Sequence, residues 1–171
     1  QHRIEMTQRL LQDALGGFAE RETRFAPIFQ TTPTHFELAF GMSHTESNIS
    51  EDEDRSGVTT TGNRPEYDPA SHPEPLELRV LEGEKPVRVC GTIDRVDVAQ
   101  GGRFVMAIDY KLGKPPEIGE MQTGQSLQMP LYLLALERVF KKTAAVGCYD
   151  SLQETGRPRL FRSDVVPGSQ F

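Results

Sequence analysis

"GTIDRVDVAQGGRFVMAIDYKLG", residues 91–113, sets two alternating apolar runs on either side of a Gln-Gly-Gly-Arg turn, and its reading decides the fold. A strand sends successive side chains to opposite faces. Phe104, Met106, Ile108 and Tyr110 then share one face, while Asp109 and Lys111 project side by side from the other. The paired glycines 101 and 102 are a hairpin signal. They place Asp94, on the first strand, and Asp109, on the second, at comparable depths from the turn.

Two carboxylates opposed across a hairpin repel each other. A cation is therefore expected between them. Lys111 supplies one positive charge, and a hard divalent ion such as Mg²⁺ can supply more. Mg²⁺ favours one or two carboxylates together with water and phosphate oxygens. Such a site suits phosphodiester hydrolysis, with the metal activating water and polarising the phosphoryl group. Lys111 would orient or deprotonate the water, or steady the developing negative charge. Read singly, Asp109 and Lys111 are a surface ion pair of little energetic weight. Arg95 and Asp97 read as structural charges that pair across the sheet.

Outward from the hairpin, residues 3–25 carry a helical stripe of Ile4, Leu11, Ala14, Leu15 and Phe18, with Pro27 marking the exit. "THFELAFGM", 34–42, alternates as a strand with Phe36, Leu38 and Phe40 on one face. Residues 43–75 are polar, acidic and rich in Ser, Thr, Gly and Pro, and are expected to form a long mobile insertion. Strands are expected at 75–83 and 85–100, a loop at 115–124 and a helix over 125–142. That helix has Leu127, Leu131, Leu134, Ala135 and Val139 as its apolar stripe. It also places Gln128 and Tyr132 at i, i+4 on one face, an uncharged hydrogen-bonding pair next to the proposed site. Two further strands follow. This order predicts a mixed α/β domain around one central sheet, as a single domain spanning 1–171.

At this point the residues carry a likeness. G-x-I-D-R-x-D (91–97), D-Y-K-x-G (109–113) and Q-x-x-x-Y within "LQMPLYLLAL" (127–136) resemble the nuclease domain of the RecB family, a branch of the PD-(D/E)XK superfamily. The likeness is nearest to the C-terminal nuclease domain of AddB-type helicase–nuclease subunits and to stand-alone RecB-like exonucleases. "FAPIFQTTPTHFELAFG" (25–41) is similar to the family's E-x-x-F-G segment. The resemblance implies a restriction-endonuclease-like core, a central mixed β-sheet with flanking helices. It implies Asp94 and Asp109 as metal ligands joined by the backbone carbonyl of Tyr110, and Lys111 as the catalytic lysine. Gln128 and Tyr132 become a substrate-positioning pair, and Glu37 the acidic residue of the E-x-x-F-G segment. The cofactor is then Mg²⁺ or Mn²⁺ and the substrate DNA. The expected role is an exonuclease in DNA end processing and recombinational repair, beside a helicase domain or subunit, in the bacterial cytoplasm. The alternative is a catalytically inactive module of the same fold that binds DNA or a helicase partner. A metal-dependent enzyme acting on something other than nucleic acid is a third reading.

The chain departs from the family pattern at two places. Many members carry a histidine ligand on an upstream helix, and neither His2 nor His35 is a convincing counterpart. Some relatives bind an iron–sulfur cluster through four cysteines, whereas this chain has only Cys90 and Cys148, so no cluster is expected.

The bulk numbers bound these readings. A net charge of −6 argues against a broad basic surface for non-specific nucleic-acid binding, though not against a local basic groove. Hydrophobic content of 36% is low for a globule and leaves room for solvated loops. No apolar run reaches the length of a membrane span. The chain opens inside a helical pattern and reads as a piece of a longer protein.

Overall fold

A computed structural model describes residues 2–42, 67–152 and 159–161. Helix α1 spans His2–Phe29. Strand β1 (Thr31–Phe40) follows, then the short strands β2 (Leu76–Leu78) and β3 (Val87–Val89). The hairpin of β4 (Gly91–Ala99) and β5 (Val105–Lys111) turns through a 3-10 segment, Gln100–Gly102. Helices α2 (Ile118–Gln122) and α3 (Gln128–Arg138) lead to β6 (Ala144–Ser151) and β7 (Arg159–Phe161).

The central sheet has the order β1-β4-β5-β6-β7, and β2-β3 form a separate ribbon. β5 and β6 run parallel, and the other neighbours in the sheet are antiparallel. A parallel pair needs a crossover, and residues 112–143 with α2 and α3 supply it. β6, "AAVGCYDS", is buried at every position, as a central strand covered on both faces must be.

The hairpin alternates as its sequence requires. Val105 and Ala107 join the cluster under α3 with Met129, Leu133 and Leu136, while Met106 and Ile108 pack on the opposite face with Phe29 and Phe104. Gly101 adopts φ 75°, a left-handed conformation that costs glycine nothing and closes the turn. Gly147 has a different task. A Cβ there would lie 2.5 Å from Met129 Cγ, so the missing side chain lets α3 settle onto β6.

Elsewhere local pattern and fold part company. The segment 85–100, expected as one strand, breaks at Cys90 into β3 and β4, and the strand expected at 75–83 shrinks to Leu76–Leu78. The loop expected at 115–124 contains α2, whose start is a reciprocal capping box between Glu117 and Glu120. α1 runs on past Pro27 to Phe29, and its expected stripe is not core: Ile4, Leu11 and Leu15 are each more than half exposed. In α3 the buried residues are Met129, Tyr132, Leu133, Ala135 and Leu136; of the expected stripe Ala135 and Val139 are buried, Leu131 and Leu134 are partly buried, and Leu127 is 57% exposed. The reason is the strand beneath. α3 presents the side that fits Gly147, and that rotates Leu127 outward.

Of the stretch expected as a mobile insertion, 43–66 lies outside the described residues. Residues 67–75 are bound to β1: Asp68 Oδ2 accepts from Phe36 N at 3.2 Å, His72 bridges Phe40, and Gly41 N donates to the His72 carbonyl at 3.0 Å. Composition alone hides this because the contacts are hydrogen bonds to the β1 backbone, from backbone groups and from the short polar side chains of Asp68 and Ser71.

Candidate active site

The β4–β5 ladder holds from Val98↔Val105 to Arg95↔Ile108 and stops there. The next opposed pair in that register is Asp94 and Asp109, so the strands part where the two carboxylates stand. Asp94 Oδ2 accepts a hydrogen bond from the Tyr110 backbone N–H at 2.8 Å. That bond ties the strands together one step beyond the ladder.

Asp109 is 2% exposed. Its Oδ1 accepts from Gln128 Nε2 at 2.8 Å. Its Oδ2 has the Lys111 ammonium 2.5 Å away as an ion pair, yet it receives no aligned hydrogen bond. Burial pushes the Asp109 carboxyl above the usual range, and the Asp94 charge adds to the rise; Lys111 and Gln128 pull against it. Lys111 Nζ also donates to Gln128 Oε1 at 2.9 Å and lies 5.3 Å above the Tyr149 ring. Gln128 therefore accepts from the lysine and donates to the aspartate, and its Nε2 further donates to Tyr132 OH at 3.0 Å. Tyr132 is buried beneath α3 and its phenol is pushed up to about 12, chiefly by burial, so it stays a neutral acceptor.

Asp109, Lys111, Gln128 and Tyr132 thus form one connected cluster, with Asp94 joined through the Tyr110 N–H. Glu37 is not part of it. It lies opposite Asp94 in the β1–β4 register, but its side chain is exposed and its backbone sits at φ 52°. His35 is held by Asp68, with Nδ1 3.2 Å from Oδ1. Among the described residues no group of three or more His, Cys, Asp or Glu is arranged to enclose a metal.

The donor chemistry nonetheless fits a hard divalent ion that keeps part of its water. Two carboxylates meet at a sheet end, and one of them has a buried oxygen without an aligned donor. A cation that binds through one or two carboxylates and otherwise holds water and phosphate oxygens asks for no more than this.

The opposite face of the same strands carries a network that residue types alone did not place. Arg95 and Asp97 pair, but along one strand rather than across the sheet, and Arg95 reaches on to Glu22 of α1 and to the Tyr110 hydroxyl. Arg21, the neighbour of Glu22, donates to Asp150 and to the Ser151 carbonyl of β6. The signal was present as charges at alternate positions in an apolar strand, which must find partners when buried.

A family model described as the PD-(D/E)XK nuclease superfamily matches residues 1–165. No curated protein matches the chain.

Proposed function

The chain belongs to the PD-(D/E)XK nuclease superfamily, and from that premise we propose that it is a divalent-metal-dependent nuclease whose working residues are Asp94, Asp109 and Lys111. The observation that carries the reading is the buried Asp109 carboxylate, held on one oxygen by Gln128, paired through the other with Lys111, and close enough to Asp94 to feel its charge. Asp94, Asp109 and the Tyr110 carbonyl would hold Mg²⁺ or Mn²⁺. When bound, the ion supplies positive charge that polarises the scissile phosphate and eases loss of a proton from an attacking water. Lys111, paired with Asp109, would orient the attacking water and offset the negative charge that develops on the phosphate. Gln128 fixes the lysine and the aspartate relative to each other, and Tyr132 fixes Gln128. Both would steady the substrate strand. Glu37 has no place in this scheme.

The substrate we propose is DNA, cut exonucleolytically during end processing next to a helicase domain or subunit in the bacterial cytoplasm. The likeness of the three motifs to RecB-type nucleases supports that finer reading. Among the described residues no helix is long and apolar enough to cross a membrane.

The test is cleavage of end-labelled linear DNA with Mg²⁺, with chelator, and by Lys111→Ala and Asp109→Ala. Cleavage that needs the metal and both side chains is expected. Equal cleavage by wild type and both variants would remove these residues from the mechanism. Metal-dependent DNA binding without any cleavage would favour the inactive binding module instead.

A further inference from the structure

Tyr110 is gripped twice from neighbouring residues of β4. On one face Asp94 Oδ2 takes its backbone N–H at 2.8 Å. On the other, Arg95 Nη1 donates to its hydroxyl at 3.2 Å. Both bonds hold Tyr110, which lies beyond the last ladder pair, Arg95↔Ile108.

Arg95 is itself immobilised. It is 5% exposed. Nε and Nη2 donate to the two oxygens of Asp97 at 2.5 and 2.7 Å, and Nη2 also donates to Glu22 Oε2 at 2.9 Å. Phe18, one turn before Glu22 on α1, packs edge-on against the Tyr110 ring at 5.9 Å. The next strand is held from the same helix. Arg21 donates to the Ser151 carbonyl at 2.7 Å, while Ser151 Oγ donates to the Gly113 carbonyl and Leu152 N to the Lys111 carbonyl. Two consecutive residues of α1 therefore hold the strands on either side of β5, Arg21 through β6 and Glu22 through Arg95 of β4. The residue at the centre of that brace stands between Asp109 and Lys111.

We propose that Arg95 is a positioning residue for the metal centre. Through the Tyr110 hydroxyl, anchored by Asp97 and Glu22, it fixes the backbone step that sets Asp94, Asp109 and Lys111 relative to one another. The inference rests on the metal-dependent reading above and extends it to the back of the sheet. A guanidinium fork is needed because Arg95 makes four hydrogen bonds, a bidentate pair to Asp97 and one each to Glu22 and Tyr110, whereas an ammonium has three donors and no planar fork. Loss of a residue that orients metal ligands typically costs about 10–100-fold in metal affinity or activity.

The experiment is a calorimetric Mn²⁺ titration, below the unfolding temperature, of wild type, Arg95→Lys, Tyr110→Phe and the control Arg24→Met. Arg24 pairs with Glu20 on the exposed side of α1. Arg95→Lys is expected to weaken Mn²⁺ binding about tenfold or more. Tyr110→Phe should weaken it less, and Arg24→Met not at all. Raising the metal concentration should recover most of the cleavage rate of both site variants. Should Arg95→Lys fail to fold, Tyr110→Phe decides alone. Wild-type Mn²⁺ affinity in Tyr110→Phe and in folded Arg95→Lys, whatever their stability, would overturn the proposal. A wild-type protein that binds no Mn²⁺ would defeat the proposed function itself, and this inference with it.

Discussion

Lys111→Met isolates the charge that faces the buried carboxylate. Methionine keeps the length and apolar stem of lysine and removes the ammonium. In the metal-free protein Asp109 Oδ2 then loses its 2.5 Å ion-pair partner while staying buried. A buried acceptor left unpaired costs about 1–3 kcal/mol. Removing one partner of a fully buried pair costs about 3–5 kcal/mol, but Lys111 is partly exposed and screened, so the lower range applies. For a chain of this size about 2 kcal/mol corresponds to a melting temperature lower by about 4–8 °C. The pH dependence follows from the direction of the Asp109 shift. Its folded-state carboxyl is raised above the ordinary value by burial and by Asp94. A raised group binds its proton more tightly when folded, so its contribution is full at low pH and is lost as pH rises through the folded value. Removing Lys111 raises it further. The deficit of the variant should therefore be largest near neutral and alkaline pH and shrink toward the ordinary carboxylate range. Thermal melts in chelator at about pH 8 and about pH 4, in the ordinary carboxylate range, read this directly. Added Mn²⁺ should stabilise the variant more than wild type, because the ion restores positive charge beside Oδ2. An equal deficit at both pH values would refute the argument that ionised Asp109 depends on Lys111.

Other outcomes are equally specific. Gly147→Ala places a methyl against Met129 and should cost about 1–3 kcal/mol in urea denaturation, with metal binding retained once the protein is folded. Gln128→Leu leaves Asp109 Oδ1 and Lys111 without their bridge and should reduce the cleavage rate about 10–100-fold, more than it changes DNA affinity. Tyr132 should be the late tyrosine in an alkaline absorbance titration, ionising near 12. Its raised value adds stability that is complete below about pH 10 and fades as pH climbs through the folded value.

The hairpin and the opposed placement of its two aspartates were legible because both rest on period-two alternation and turn glycines. Asp94 and Asp109 could be set opposite each other by counting from Gly101 and Gly102. Gln128 and Tyr132 were legible from helical spacing, although Tyr132 is core rather than helix surface. What escaped depends on partners far away in sequence. The side of α3 that packs closest on β6 carries Met129 and Leu133 against the small Gly147, a contact between residues far apart in sequence. Phe36 shares an alternating face with Leu38 and Phe40, yet it is 53% exposed, and the positive φ of Glu37 lies between them. The E-x-x-F-G likeness made Glu37 attractive, but no spacing rule shows that its side chain turns to solvent. Arg95 read as an ordinary strand charge because its partners Glu22 and Tyr110 sit 73 and 15 residues away.

The account stands on Asp94 and Asp109 forming a metal centre at the parted ends of β4 and β5. A calorimetric Mn²⁺ titration of wild type beside Asp109→Ala tests this most directly. Binding by the wild type that is abolished in the variant, with the fold intact by circular dichroism, is the predicted result. Equal binding by both proteins would place the metal elsewhere and contradict it.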